Sequence, residues 1–306
     1  MEFGKVTPEE LEKTDFSLPP DKPETTALLN KQKKKNKPTV FVGCAKWGRP
    51  DWVGKIYPKG TKAGNFLEHY AQQFNCIELN ATFYRMPTHK QTSVWKSKVG
   101  DDFKFCPKFV DQITHIKRLK DVDELTDRFL EGISGFEKNL GPVFLMPHPG
   151  MGSKTLETLE AFIQSLPKDI ELYTELRHKD WFANPEVFRA VFAMLERNKS
   201  GSVITDASGR RDCVHMRLTT PSAFIRFVGN GLHPTDYTRC DAWVQRMKTW
   251  SNQGIETIYF FMHQHEELHS PELCRYLIPN MNEQLGTTIP VPKFIKQLPT
   301  EGTLFN

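Results

Sequence analysis

Eight short β-rich runs, separated by stretches of helical periodicity, are the feature that most constrains what this chain can fold into. They are TVFVG (39–43), CIEL (76–79), FKFCP (103–107), PVFLM (142–146), ELYTEL (171–176), SVITD (202–206), AFIRFV (223–228) and TIYFFM (257–262). Runs of this kind alternating with helical segments build βα units and a parallel sheet. Between them, residues 65–74, 122–140, 154–166, 185–197 and 237–253 carry apolar residues at three- and four-residue spacing, the mark of amphipathic helices. Eight strands with mostly helical crossovers suit a closed, TIM-like (β/α)8 barrel better than an open sheet. Residues 207–222 are short and polar with no helical pattern, so the barrel is expected to be irregular between strands six and seven.

At 306 residues with 38% hydrophobic residues, the chain could hold one large barrel or two ordinary domains. The strand count selects a single barrel domain over residues 38–306. Residues 1–37, rich in Glu, Lys, Pro and Thr, read as a polar N-terminal arm with apolar residues too scattered for a core. No apolar run approaches the roughly 18 residues that span a bilayer, and no signal-peptide h-region precedes the fold, so a cytoplasmic protein is expected. The net charge of +4 is less than the five positive charges that Lys31, Lys33, Lys34, Lys35 and Lys37 supply alone. The body is therefore near neutral. The lysine run reads as a solvated tether, with nucleic acid as its alternative partner. The six cysteines stand singly in apolar stretches and read as reduced core thiols.

In a barrel of this type the functional groups come from the C-terminal ends of the strands and the loops after them. Read in order, those positions supply Trp47; then Glu78, Asn80 and Tyr84; Lys108 and His115; Glu175, Arg177 and His178; Asp206; Arg226; and finally His263, His265 and His269. Any one of them could be half of an ion pair that stabilises the barrel interior. Ionisable groups at the ends of six different strands, however, are costly to bury where Val, Ile or Leu would pack. Glu78, Glu175 and Asp206 are the candidate general acids and bases. Lys108, Arg177 and Arg226 form a candidate clamp for phosphate or carboxylate, with Trp47, Asn80, Tyr84, His115 and His178 as further substrate-binding groups. A divalent metal held by the carboxylates and His263 is an alternative, and spacing does not arbitrate. Trp47, Trp52, Phe83, Tyr84 and Trp181 are expected to pack as an aromatic rim. The absence of a Gly-rich phosphate loop, a GxSxG elbow and an HExxH pair disfavours nucleotide-dependent hydride transfer and serine hydrolysis.

The ordered motifs GCAKWGRPDW, IELNATFYRMP, ITH, LGPVFLMP, ELRHKDW and FIRF resemble the YecE-like family, a bacterial domain of unknown function, over about residues 40–278. The resemblance implies a TIM-barrel-like fold and no assigned activity; its outline is similar to sugar isomerases and apurinic endonucleases by fold alone. The positions shared with the family pattern are Trp47, Asp51, Glu78, Asn80, Tyr84, Lys108, His115, Glu175, Arg177, His178, Asp206 and Arg226. Four positions depart from it, with Cys44, Leu145, Val228 and Met262 standing where relatives usually carry polar groups. The leading expectation is an enzyme acting on an anionic, phosphorylated or sugar-containing substrate, with hydrolase, lyase and isomerase chemistry all open. A nucleic-acid-binding or nucleic-acid-processing protein is the second reading, and a non-catalytic binding barrel the third.

Overall fold

Strands β1 (Thr39–Cys44), β2 (Cys76–Leu79), β3 (Lys104–Pro107), β4 (Val143–Leu145), β5 (Leu172–Thr174), β6 (Gly201–Asp206), β7 (Ser222–Gly229) and β8 (Thr257–Gln264) stand where the eight runs predict them. The computed structural model describes residues 3–33 and 37–295. The strands run parallel in the order β3-β2-β1-β8-β7-β6-β5-β4, and the two ends of that row meet. The Gly141 amide donates to the Phe105 carbonyl (2.7 Å) and the Phe109 amide to the Phe144 carbonyl (3.0 Å), which joins β3 to β4. The result is a TIM-like α/β barrel.

Strand parity divides the core in two, because successive side chains point to opposite faces of a strand. Phe41, Cys76, Cys106, Phe144, Tyr173, Val203, Phe224, Tyr259 and Phe261 face the lumen and pack on one another. Their neighbours Val42, Ile77, Phe105, Leu145, Ile204, Phe227 and Phe260 face outward, against helix residues such as Phe129, Phe162, Phe192 and Trp243. Gly43 lies where β1 and β2 approach closely: a Cβ there would sit 2.1 Å from the Cys76 carbonyl oxygen, so only glycine fits.

The helices form where the periodicity places them, and local chemistry sets their ends. Helix Pro185–Arg197 starts with Pro185 at its first position, and the Asn184 side chain accepts from the Glu186 amide (2.7 Å). Helix Pro234–Gln253 stops at Gly254, whose φ of 114° is left-handed and lets its amide cap the Trp250 carbonyl. The helices His89–Lys96 and Ser270–Leu285 carry weaker signals: the first is polar with Thr92 as its one fully buried residue, and the second contains Pro279. The link between β6 and β7 holds only the short 3-10 turn Arg211–Cys213. No helix among the described residues is long and apolar enough to cross a membrane.

Residues 3–33, part of the stretch read as a polar arm, run along the barrel wall. Thr25 is fixed by two bonds to the irregular link, donating to the Met216 carbonyl (3.0 Å) and accepting from the Leu218 amide (2.9 Å). Asp21 accepts from Arg246 (2.7 Å) and from the Trp250 indole (3.1 Å), and Leu29 is fully buried. Single polar anchors of this kind leave no periodic apolar stripe, which is why the sequence shows no core there. Gln32 lies against Gly254, and Lys37 precedes β1 by two residues, so the described lysines of the run sit at the N-terminal end of the barrel. Lys34 and Lys35 lie outside the described residues.

Candidate functional site

The lumen changes character at the C-terminal ends of the strands. Below, it is filled by Phe, Tyr, Val and Cys; above them stand Glu78 on β2, Lys108 just past β3, Glu175 just past β5, Thr205 on β6, Arg226 on β7 and His263 on β8. Parity explains the set, since each lies an even number of residues from a lumen-facing apolar neighbour on its own strand.

Arg226 is the centre of this layer. Its Nε and Nη2 donate to the two oxygens of Glu78 (2.8 and 2.9 Å), and its Nη1 donates to Glu175 Oε1 (2.7 Å). Asn80 and His263 also bond Glu78, at 2.9 and 3.0 Å. Thr205 donates to Glu175 Oε1, and Arg177 lies 3.0 Å from Glu175 Oε2 through both Nε and Nη2. Burial pushes both carboxyls toward the neutral form, but the cations outweigh it. Arg226 and His263 hold Glu78 well below the usual carboxylate range, and Arg177 and Arg226 bring Glu175 to about 2. Both are fixed anions, committed to guanidinium groups.

Lys108 has the opposite circumstances. It is 6% exposed, and among the described residues it makes no ion pair with a carboxylate. Its Nζ lies 3.4 Å from Met146 Sδ and 4.2 Å from the centre of the Phe83 ring, with the Phe144 ring behind at 5.3 Å. Burial, reinforced by the positive charges of Arg226 and Arg177, brings the Lys108 amine from 10.5 down to about 7. His115 stands beside the same ring, edge-on to Phe83 at 4.9 Å, and burial with the Lys108 charge lowers it to about 4. His263, paired with Glu78 and with Glu267 (3.4 Å), is raised: burial opposes its charge, and the Glu78 carboxylate more than compensates.

These groups floor a cleft of about 740 Å³, walled by Lys46, Trp47, Asn80, Phe83, Tyr84, His115, Met146 and Arg177. That volume suits a small molecule. The three carboxylates beneath it, Glu78, Glu175 and Glu267, are answered by Arg226, Arg177 and His263. Lys46 is surplus positive charge, joined by Lys108 whenever its amine is protonated, so the cleft favours an anion. The N-terminal segment reaches its edge, where the Phe3 ring lies 4.2 Å from the Arg177 guanidinium carbon.

The structure gathers most of the expected residues and sets two apart. Trp47, Asn80, Tyr84, Lys108, His115, Arg177 and Arg226 line the cleft, with Glu78 and Glu175 directly beneath. Asp206 does not join them. It points out of the barrel, where Arg239 (2.9 Å), Arg211 and the Trp243 indole (2.7 Å) surround it. Burial alone would raise its carboxyl; Arg239 and Arg211 hold it down. Register states the reason: β6 Thr205 pairs with β7 Arg226 and faces in, so Asp206 faces out with Phe227. His178 is likewise outside the cleft, its Nδ1 accepting from the Asp180 amide (3.2 Å) at the start of helix Asp180–Ala183. We expect Asp206→Asn to leave ligand binding in the cleft unchanged while lowering unfolding free energy by about 2 kcal/mol, as chemical denaturation would measure.

The aromatic rim also divides. Trp47, Phe83 and Tyr84 line the cleft, whereas Trp52 and Trp181 are buried in the outer core, with the Trp181 indole bonded to the Met151 carbonyl (2.9 Å). Met146 and Glu267 are cleft residues that strand-end reading does not single out, though Glu267 stands four residues after His263 on the way into a helical turn. With Asp206 elsewhere and the other carboxylates bound to arginine, the proposed metal set is not assembled. No group of three or more His, Cys, Asp or Glu among the described residues is arranged to hold a metal. Three of the four departures lie away from the cleft: Cys44, Leu145 and Met262 belong to the outer core, and only Val228 shares the inward face, in register with His263.

Residues 41–296 match the family described as protein of unknown function DUF72. The chain belongs to the DUF72 family. Among curated relatives it is 28% identical over 285 residues to the UPF0759 protein YecE of Escherichia coli K12, covering 87% of this chain and all of the relative. The UPF0759 protein YunF of Bacillus subtilis is 24% identical over 153 residues, 48% of this chain and 53% of YunF. Crystal structures of DUF72 proteins from Enterococcus faecalis and Thermotoga maritima superpose with TM-scores of 0.63 and 0.60 at 16% and 23% identity. They cover 83% and 81% of this chain and the whole of each neighbour. For this DUF72 member, those neighbours establish the barrel, and the chemistry rests on its own cleft.

Proposed function

We propose that this DUF72 protein is an enzyme acting on a small anionic substrate, with Lys108 as the group that exchanges protons with it and with Arg177 and Lys46 holding the anion. One observation carries the reading: Lys108 is a buried amine facing a cleft in which every carboxylate is already committed to another cation. A buried lysine with a depressed proton affinity is a group suited to general-base or nucleophilic work. The carboxylates take a different role from the one their residue type suggests. Glu175, held at about 2, neither gives nor accepts a proton near neutrality, so it and Glu78 orient Arg226 and Arg177.

Thermal-shift screening of the protein against carboxylate- and phosphate-bearing metabolites tests this. A ligand at one hundred times its dissociation constant adds about 2.7 kcal/mol to stability. We expect hits whose shift falls sharply in Lys108→Met and in Arg177→Gln. Hits that persist undiminished in both variants would remove the reading. The nucleic-acid alternative is separable: the described lysines of the run sit at the other end of the barrel, so salt-dependent DNA retention, if carried by that run, would survive Lys108→Met.

A further inference from the structure

We infer that the Lys108 amine forms an imine with the carbonyl carbon of a small oxo compound that also bears a carboxylate or phosphate, an inference that rests on the anionic-substrate reading above. Three features of the surroundings point to covalent chemistry beyond proton transfer. First, the amine is presented to the cleft by walls of Phe83, Phe144 and Met146, which offer no hydrogen-bond donor that would occupy its lone pair. Second, the cations nearest in charge, Arg226 and Arg177, favour the uncharged amine, the form that attacks carbon. Third, Arg177 and Lys46 on the cleft wall supply attraction for an anionic group on the same molecule, which would bring a carbonyl within reach of the nitrogen.

The step balances without an oxidant or reductant. The nitrogen lone pair attacks the carbonyl carbon, a C–N bond forms, and the carbonyl oxygen takes a proton to give a carbinolamine. Its hydroxyl then takes a proton from solvent and leaves as water while nitrogen keeps its remaining proton, and the C=N bond is complete as a protonated imine. His115, uncharged near neutrality and lining the same cleft, is the group placed to carry these protons. A protonated imine withdraws electrons from the adjacent carbon. This suits lyase or isomerase chemistry, two of the three classes left open by the sequence. Glu78 and Glu175, anionic beneath the site, offset the positive charge of that species.

The experiment incubates the full-length protein with pyruvate, glyoxylate or glycolaldehyde phosphate and sodium cyanoborohydride, followed by intact mass and peptide mapping. An imine reduced in place raises the protein mass by that of the probe less one oxygen atom. We expect one such addition with at least one probe, mapped to Lys108 and absent from Lys108→Arg and Lys108→Met, with circular dichroism and melting confirming that both variants fold. Labelling spread over surface lysines to the same extent in wild type and variants would overturn the imine. Thermal shift with the same probes, without reductant, separates the two readings. A probe that binds through Arg177 without labelling Lys108 overturns the imine and leaves the anion site standing. No shift and no label with any anionic carbonyl probe overturns both.

Discussion

Replacing Arg226 with methionine is expected to lower the unfolding free energy by about 3–5 kcal/mol, the cost of removing one member of a buried ionic group. Arg226 makes three charge-assisted bonds to two carboxylates, and all three side chains are at most 2% exposed. In the variant, Glu78 would keep Asn80 and His263, and Glu175 would keep Thr205 and Arg177, yet both would lose the cation between them. Urea denaturation measures this as a fall in midpoint at unchanged slope. A matched variant isolates the cause. Glu78→Gln and Glu175→Gln added to Arg226→Met remove the uncompensated charges and are expected to recover much of the loss, since neutral replacement of an entire buried ionic group is often near neutral in energy. A loss below about 1 kcal/mol in the single variant would mean that Arg226 is not what keeps these carboxylates ionised.

Arg226 also shows why the fold was more legible than the site. A strand announces itself by composition over several residues, so all eight runs, and the helices with a broad apolar stripe, could be read from the chain. Site membership turns on one residue of phase. Thr205 and Asp206 are neighbours in sequence, and the carboxylate attracts attention, yet it is the threonine that faces the lumen and bonds Glu175. Counting alternate positions from Arg226 across to β6 would have sorted them, because paired strands share their inward face. Trp52 and Trp181 illustrate the same limit: as residue types they suit a cleft mouth, and their places in the loops put them in the outer core. The attachment of the N-terminal segment is illegible for a different reason. It depends on partners almost two hundred residues away, Met216 and Leu218 for Thr25, and no local pattern encodes them.

Lys108→Met is expected to make the protein more stable near and below neutral pH, by an amount on the order of 3–5 kcal/mol, while abolishing its binding of anionic carbonyl compounds. The sign follows from proton binding. Unfolding returns the Lys108 amine from about 7 to its ordinary 10.5, so between those values the unfolded chain holds a proton that the folded protein has released. Wild-type stability therefore gains from this group as pH rises through that window, by about 1.4 kcal/mol per unit. Below it, both states carry the charge and the folded state bears the full penalty of burying an ammonium beside Arg226 and Arg177. The advantage of methionine should thus be largest at about pH 6, smaller at about pH 9, and gone once both states are neutral. Paired urea curves of wild type and variant across this range read the difference directly, with the titration of every other group cancelling. A difference that stays flat with pH would show an ordinary lysine and leave the cleft without its reactive amine. A difference that closes as pH rises, in a variant that no longer binds the probes, identifies a residue that weakens the fold where packing alone would have placed an apolar side chain. Phe83, Phe144 and Met146 already form the walls that such a side chain would fill. With that outcome, an amine at this position would be explained by chemistry at the cleft and by nothing in the stability of the barrel.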